Sequence, residues 1–173
     1  MKNLLISACL MGVNCKYNGG NNKLPELDLL KEKYNLIPIC PEEMGGLTTP
    51  RNPSEIKGNK VFSNLGNDVT DNFKNGAKLA LKVALENDCN VALLKERSPS
   101  CGSNMIYDGS FCGKVIEGMG LTAKLLKENN IEIFNEEKIK DLVDWQGLSC
   151  LIIKGVLIWN IDSSISAKFW ICV

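Results

Sequence analysis

Cysteine is the residue type in this chain whose number and placement best suit chemistry. The 173 residues include eight cysteines, and Cys9, Cys40 and Cys101 each lie at or just beyond the end of a short apolar segment. Three thiolates can hold zinc, copper or an iron-sulfur cluster, because soft sulfur ligands favour these metals over hard cations. A cluster with three cysteine ligands leaves one iron open, and that iron can bind a substrate atom as a Lewis acid. The alternative is a structural role as small buried apolar residues.

The other cysteines and the absence of histidine limit which side chains can bind a metal. Cys15 lies in the loop after the first of these cysteines and can replace one ligand, and Cys112 can approach from a predicted hairpin. We expect Cys89, Cys150 and Cys172 to be structural. The chain has no histidine, which excludes histidine-liganded zinc, a serine–histidine triad and imidazole acid–base catalysis. Any metal must therefore bind to thiolates or carboxylates.

Carboxylates and hydroxyls close to these cysteines supply candidate catalytic groups. Glu42 and Glu43 directly follow the second cysteine-containing segment, and either can act as a general acid or base if burial raises its pKa. Ser98 and Ser100 precede the third cysteine and can donate hydrogen bonds to a substrate or to cluster sulfides. The plainer interpretations are a solvated loop glutamate and an ordinary turn serine.

Two weaker signals accompany these groups. Arg51 and Arg97 are the only arginines, and both lie in Pro- and Gly-rich segments, where a planar guanidinium can bind in ways that lysine cannot. The Gly118-x-Gly120 pair precedes a predicted helix and can bind an anion through backbone amides. For the glycine pair, a simple helix-entry turn is favoured.

Apolar segments that alternate between strand and helix patterns position these groups. Strands are predicted over residues 3–8, 36–40, 91–94 and 131–134, and helices over 25–33, from 68–70 to 86, and over 121–129. The long helix shows one apolar face, formed by Phe73, Ala77, Ala80, Leu81, Ala84 and Leu85. Three prolines and two glycines exclude regular structure over 41–53, and a hairpin is predicted around 107–109.

The alternation of strands and helices indicates an α/β fold. We predict a single compact Rossmann-like or flavodoxin-like domain of three layers, with a mainly parallel sheet covered on both faces. Loops that follow parallel strands lie at the same edge of the sheet, and ligands bind there. We therefore expect Cys9, Cys40 and Cys101 to converge at that edge.

Length and charge limit the organisation and the partners. We predict one domain over residues 1–145, followed by an apolar but patternless tail over 146–173 to which we assign no role. Twenty basic and twenty acidic residues cancel, so nucleic acid and an anionic membrane are not expected as partners, and a small molecule is. The first apolar run is too short for a signal peptide, and no segment reaches the roughly 20 apolar residues of a spanning helix. We expect a cytoplasmic protein, where reduced cysteines are the rule.

Four motifs together resemble a known family. They are Ser7-Ala8-Cys9-Leu10-x-Gly12 with Cys15-x-Tyr17-x-Gly19, Cys40-Pro41-Glu42-x-x-Gly45-Gly46-Leu47-x-Thr49-Pro50-Arg51, Gly66-x-Asp68-Val69-Thr70, and Leu94-Lys95-x-x-Ser98-Pro99-Ser100-Cys101-Gly102. In this order and spacing, over about residues 3–136, the chain is similar to the TudS-like thiouracil desulfurases.

The resemblance implies a cofactor, a reaction and a set of site residues. A 4Fe-4S cluster would be held by Cys9, Cys40 and Cys101, and its open iron would bind the sulfur of a thiolated pyrimidine. The substrate, such as 2-thiouracil, would become the oxo base with release of sulfide. The resemblance also implies a catalytic carboxylate, Glu42 or Glu43, and a catalytic serine, Ser98 or Ser100.

Other functions remain open at this point. The cluster could carry sulfide to a nucleic acid or a metabolite, or the cysteines could form a zinc- or cluster-binding sensor without turnover. A thiol redox protein is disfavoured, because the chain has no Cys-x-x-Cys motif. The oligomeric state stays open, a homo-oligomer included.

Overall fold

The structure, a computed structural model, describes residues 1–144, 151–153 and 156–158. In chain order, the elements are β1 Lys2–Ser7, α1 Leu27–Lys33, β2 Tyr34–Ile39, α2 Pro41–Met44, β3 Ser54–Lys57, β4 Lys60–Ser63, α3 Thr70–Glu86, β5 Val91–Leu94, β6 Met105–Tyr107, β7 Val115–Glu117, α4 Leu121–Glu128, β8 Glu132–Asn135, α5 Ile139–Asp144, β9 Leu151–Ile153 and β10 Val156–Ile158. Short 3₁₀ helices cover Ala8–Met11 and Glu136–Lys138.

A four-stranded parallel sheet forms the centre of the fold, in the order β2-β1-β5-β8. Leu4, Leu5 and Ile6 of β1 are fully buried, and all four residues of β5 are buried as well. Strands that are apolar on both faces are typical of a parallel sheet covered on both sides. The predicted α/β fold class is confirmed.

The strand order places a topological switch point between β1 and β5. The chain moves from β1 to β2 in one direction and then crosses back to β5 on the other side of β1. Because such crossovers are right-handed, α1 and α3 cover opposite faces of the sheet. Ligands of open parallel sheets bind at the carboxyl ends of strands that flank a switch point.

The apolar face of α3 is narrower than the sequence predicts. Phe73, Ala77, Ala80 and Ala84 are buried, and Leu81 is partly buried against the core. The prediction for Leu85 was wrong, because this residue is 59% exposed. The packed stripe consists of residues spaced three and four apart. Leu85 directly follows Ala84 and therefore lies outside this stripe.

Three segments outside the sheet differ from the sequence-based picture. The segment 41–53 was predicted to lack regular structure, yet it begins with the short helix α2, since proline is tolerated at a first helical position. The β3–β4 hairpin was not predicted. The predicted hairpin around 107–109 is present, with β6 and β7 as its strands.

The chain forms two compact units, Met1–Val143 and Asp144–Val173. In the second unit, β9 and β10 pair antiparallel. Cys150 and Cys172, for which we expect structural roles, lie outside the described residues. Among the residues that the structure describes, no helix combines the length and apolar character needed to cross a membrane.

Candidate functional site

The three cysteines singled out by the sequence line one cavity at the carboxyl edge of the sheet. Cys9 lies in the 3₁₀ helix after β1, Cys40 is the residue between β2 and α2, and Cys101 follows β5. The cavity has a volume of about 600 Å³ and includes all three side chains in its wall. The switch point of the sheet therefore carries a group of soft sulfur donors.

Cys15 belongs to the same group of thiols. Its side chain is buried, lines the cavity and lies within hydrogen-bonding distance of the sulfurs of Cys9 and Cys40. The sulfurs of Cys15 and Cys40 and a carboxylate oxygen of Glu43 also lie within 4.8 Å of one another. Four thiols are thus available to a metal group, one more than a three-cysteine ligand set requires.

Hydrogen bonding among the thiols sets their protonation. The Cys15 thiol lowers the pKa of Cys9 to about 7, against an opposing effect of burial and with help from Asn22. The same thiol lowers the pKa of Cys40, whereas its own pKa is strongly raised because both neighbours hold its proton. Burial raises the pKa of Cys101. For both Cys9 and Cys40, the lowered pKa favours the thiolate, which is the form that binds metal.

Of the two candidate carboxylates, Glu42 lines this cavity. Its Oε2 accepts a hydrogen bond of 2.8 Å from Arg51 Nε, and its Oε1 accepts one of 3.3 Å from Ser98 Oγ. Arg51 also donates to the carbonyl oxygen of Cys15 at 3.0 Å and to Thr49 Oγ1 at 2.8 Å. The guanidinium thus ties the carboxylate to the loop that carries Cys15.

The neighbouring Glu43 has a different environment. It is exposed, is absent from the wall of the cavity, and accepts a hydrogen bond of 2.6 Å from Thr49 Oγ1. Of the two carboxylates that the sequence leaves open, the structure therefore brings Glu42 to the cavity.

The two candidate serines also lie in different environments. Ser98 lines the cavity, and its Oγ accepts from the backbone amides of Ser100 and Cys101, both at 3.1 Å, while it donates to Glu42. Ser100 is fully buried, and its Oγ shares a hydrogen bond of 2.8 Å with Thr122 Oγ1. Ser98 therefore lies at the cavity, whereas Ser100 joins the loop to α4.

Glu96 also lines the cavity and is not among the site residues that the sequence predicts. Its side chain is buried, and its carboxylate accepts hydrogen bonds from Ser103 Oγ at 2.6 Å, from Asn135 Nδ2 at 2.6 Å, and from the backbone amides of residues 103–105. Burial alone would raise the pKa of this carboxyl, but the hydrogen bonds from Ser103 and from the backbone amides lower it on balance. Glu96 anchors the loop that carries Ser98 and Cys101, and in the sequence it lies between two basic residues, Lys95 and Arg97.

Close backbone packing fixes this loop against α4. A Cβ atom at Gly120 would lie 2.3 Å from the carbonyl oxygen of Ser100, so only glycine permits the approach. The amides of Leu121 and Thr122 donate to the carbonyls of Pro99 and Ser100 at 3.0 and 2.9 Å. These amides of the first turn of α4 already donate hydrogen bonds within the protein. This supports a helix-entry turn at the glycine pair and not an anion site.

The loop that carries Cys40 and Glu42 is fixed in the same way. A Cβ atom at Gly76 of α3 would lie 1.8 Å from the carbonyl oxygen of Pro41, and one at Gly45 would lie 2.1 Å from the carbonyl oxygen of Asn72. The backbones of α2 and α3 therefore touch. This contact holds Cys40 and Glu42 at the edge of the sheet.

Two further cysteines lie away from the cavity wall. Cys112 is exposed, and its Sγ contacts the carbonyl of Ser110 at 3.4 Å. It does not line the cavity, although its neighbours Phe111 and Gly113 do. Cys89 is buried in the apolar core, as expected for a structural residue.

The chain is similar to known proteins over most of its length. Residues 4–138 match the 2-thiouracil desulfurase family. The chain is 38% identical over 150 residues to the uncharacterized protein YbbK of Bacillus subtilis strain 168. This match covers 81% of this chain and 99% of that protein. It is 41% identical to a solved structure of the 4Fe-4S-dependent thiouracil desulfidase TudS, with a TM-score of 0.79, covering 82% of this chain and 95% of the other. These matches confirm the resemblance carried by the four motifs, and the chain belongs to the 2-thiouracil desulfurase family.

Proposed function

We propose that this chain removes sulfur from a thiolated pyrimidine such as 2-thiouracil, giving the oxo base and sulfide, with a 4Fe-4S cluster as cofactor. The observation that carries the proposal is the hydrogen bond between Glu42 and Ser98 in a cavity that also contains four thiols. The family match over residues 4–138 supports it. We assign this activity to the predicted domain 1–145 and assign no role to residues 146–173.

The donor set at the cavity fits an iron-sulfur cluster. Thiolates are the ligands that such clusters use, and the chain offers no histidine for a mixed site. We propose Cys9, Cys40 and Cys101 as the ligands, since each follows a different strand of the sheet. Cys15, whose thiol holds a proton between two of these sulfurs, then remains a hydrogen-bond donor.

Iron content tests this ligand set. Cys9→Ala, Cys40→Ala and Cys101→Ala should each abolish cluster binding after anaerobic reconstitution, whereas Cys89→Ala should bind as the wild type does. Cys15→Ala should keep the iron. Loss of iron in Cys15→Ala together with full iron in Cys101→Ala would replace Cys101 by Cys15 in the ligand set.

The chemistry needs no net electron transfer. A bound cluster, held by Cys9, Cys40 and Cys101, would supply a Lewis acid that polarises the C–S bond of the substrate. Water adds to the carbon of that bond, and Glu42 takes the proton of the water at Oε1, the oxygen next to Ser98. The Ser98 hydroxyl holds that carboxylate oxygen in place, and Arg51 holds the other. The C–S bond then breaks as the added hydroxyl loses its proton to form the C=O bond, and the departing sulfide takes up that proton and the one held by Glu42, so that the oxo base and hydrogen sulfide leave.

Substitution of the two acidic neighbours tests the role of Glu42. We expect Glu42→Gln to lower sulfide release from 2-thiouracil by roughly a hundredfold or more, the usual contribution of a general acid or base. Ser98→Ala should also lower turnover, with unchanged iron content in both variants. Glu43→Gln serves as the matched comparison. If Glu43→Gln loses turnover and Glu42→Gln does not, the assignment of the carboxylate is wrong.

A further inference from the structure

The cavity is built from two different parts of the fold. Loops that follow the strands of the sheet supply the thiols and the catalytic pair. The β3–β4 and β6–β7 hairpins supply a second group of lining residues, among them Glu55, Tyr107 and Phe111. The proposed chemistry uses only the first part. If the substrate ring presents its C–S bond to the thiols, the two faces of the ring remain available to contact other residues of the cavity wall.

Phe111 is the unusual member of the second part. The residue lines the cavity and is nevertheless 38% exposed, and its backbone has a φ of 58°. The left-handed region is rare for a bulky side chain and costs free energy. Such a conformation persists only where the surrounding structure enforces it, and it is concentrated at functional sites.

Glu55 enforces this conformation. The Glu55 side chain is buried, and its Oε2 accepts hydrogen bonds from the backbone amides of Gly109 and Phe111, both at 3.0 Å. A Cβ atom at Gly109 would lie 2.7 Å from the carbonyl oxygen of Ile56, so the loop rests directly on β3. One carboxylate oxygen therefore fixes the backbone at both ends of the Gly109–Phe111 segment.

We propose that Phe111 stacks on the ring of the thiolated pyrimidine and is a specificity-determining residue, and that Glu55 is the positioning residue that holds it. The proposal rests on the function proposed above and adds to it how the ring is recognised. A planar aromatic heterocycle offers a face to the phenyl group, whereas a saturated ring does not. The site should therefore select aromatic thiolated bases.

Equilibrium binding to the iron-loaded protein tests the role of Phe111. Uracil, the oxo product, serves as the probe because it binds without turnover, and calorimetry gives its Kd. We expect Phe111→Ala to weaken binding by roughly tenfold or more, the usual cost of losing one stacked aromatic. The KM for 2-thiouracil should rise in parallel, while kcat and iron content stay within about twofold. Phe111→Leu should also weaken binding, and Phe111→Tyr should retain it.

Leu65→Ala is the matched control, because Leu65 is 68% exposed and does not line the cavity. Its Kd should equal that of the wild type. The wild type should also prefer 2-thiouracil over its 5,6-dihydro derivative in kcat/KM, and Phe111→Ala should lose most of this preference. Unchanged Kd and unchanged preference in Phe111→Ala would overturn the proposal.

A double-mutant cycle tests the role of Glu55. If Glu55 acts through Phe111, Glu55→Ala should weaken uracil binding about as much as Phe111→Ala, and the double variant should bind no more weakly than Phe111→Ala alone. Glu55→Gln should retain most of the affinity, since its amide oxygen still accepts both hydrogen bonds. Additive losses would overturn the positioning role. A wild type that releases no sulfide would instead remove the proposed function, and the two failures are thus distinguishable.

Discussion

Replacing Gly76 by alanine sets two physical effects against each other. In a helix interior, alanine is favoured over glycine by about 1 kcal/mol. The new Cβ atom would, however, lie 1.8 Å from the carbonyl oxygen of Pro41, where ordinary contact begins at 3.4 Å. Because the obstacle is backbone, the side chain cannot move aside, and α2 must separate from α3.

The steric effect should win. Overpacking of this kind typically costs about 1–3 kcal/mol, and the short distance places this site at the upper end. Subtracting the propensity gain leaves a net loss of about 2 kcal/mol, which lowers Tm by roughly 4–8 °C for a chain of this length. Displacement of α2 also moves Cys40 and Glu42, and a misplacement of about 1 Å can cost roughly a hundredfold in rate.

Thermal unfolding of the wild type, Gly76→Ala and Asn75→Ala measures this effect. Asn75 is the exposed neighbour on the same helix, so its replacement changes propensity without creating a clash. We expect Asn75→Ala to unfold at or slightly above the wild-type Tm. A Gly76→Ala protein as stable as Asn75→Ala, with full iron content, would refute the packing argument.

Two further predictions concern buried polar groups. Replacing Glu96 by glutamine should destabilise the protein by about 2 kcal/mol at pH 7, because one charged acceptor of several hydrogen bonds is lost. The native pKa of Glu96 lies below the unfolded value of about 4.3. Its stabilisation is therefore complete above that pH and is lost as pH falls through the native pKa, so urea unfolding of the wild type and Glu96→Gln should converge in acid. Arg51→Lys should lower kcat by roughly tenfold with unchanged iron, because an ammonium cannot reproduce the guanidinium contacts.

Each of these two predictions can be contradicted by a specific measurement. A stability difference between the wild type and Glu96→Gln that stays constant down to about pH 3 would show that the carboxylate charge plays no part. A kcat for Arg51→Lys equal to that of the wild type would show that the guanidinium does not position Glu42.

Much of the fold follows from the sequence because the strands are short apolar runs and the helices have a clear period. Segments 3–8 and 91–94 of the prediction correspond to β1 and β5, and the gathering of three cysteines follows from parallel topology alone. The β3–β4 hairpin was missed, since its strands are four residues each and mostly polar. Strands this short and polar show no alternation of apolar and polar residues that is long enough to be recognised in the sequence.

Placement within the site depends on tertiary contacts that no local pattern encodes. Glu42 and Glu43 are adjacent in the sequence, and tertiary contacts with Arg51 and Ser98 hold Glu42 at the cavity. Ser98 and Ser100 differ in the same way, because Ser100 meets Thr122 of α4. A charged residue such as Glu96 looks solvated until the loop that folds around it is known.

The most direct test is the reaction of the anaerobically reconstituted wild-type protein with 2-thiouracil, followed by measurement of sulfide and uracil. We expect about four iron atoms per chain and the formation of sulfide and uracil in equal amounts over several turnovers. Iron binding without sulfide release would contradict a desulfurase acting on this substrate class and would leave a sensor. Zinc binding without iron would contradict the cluster itself.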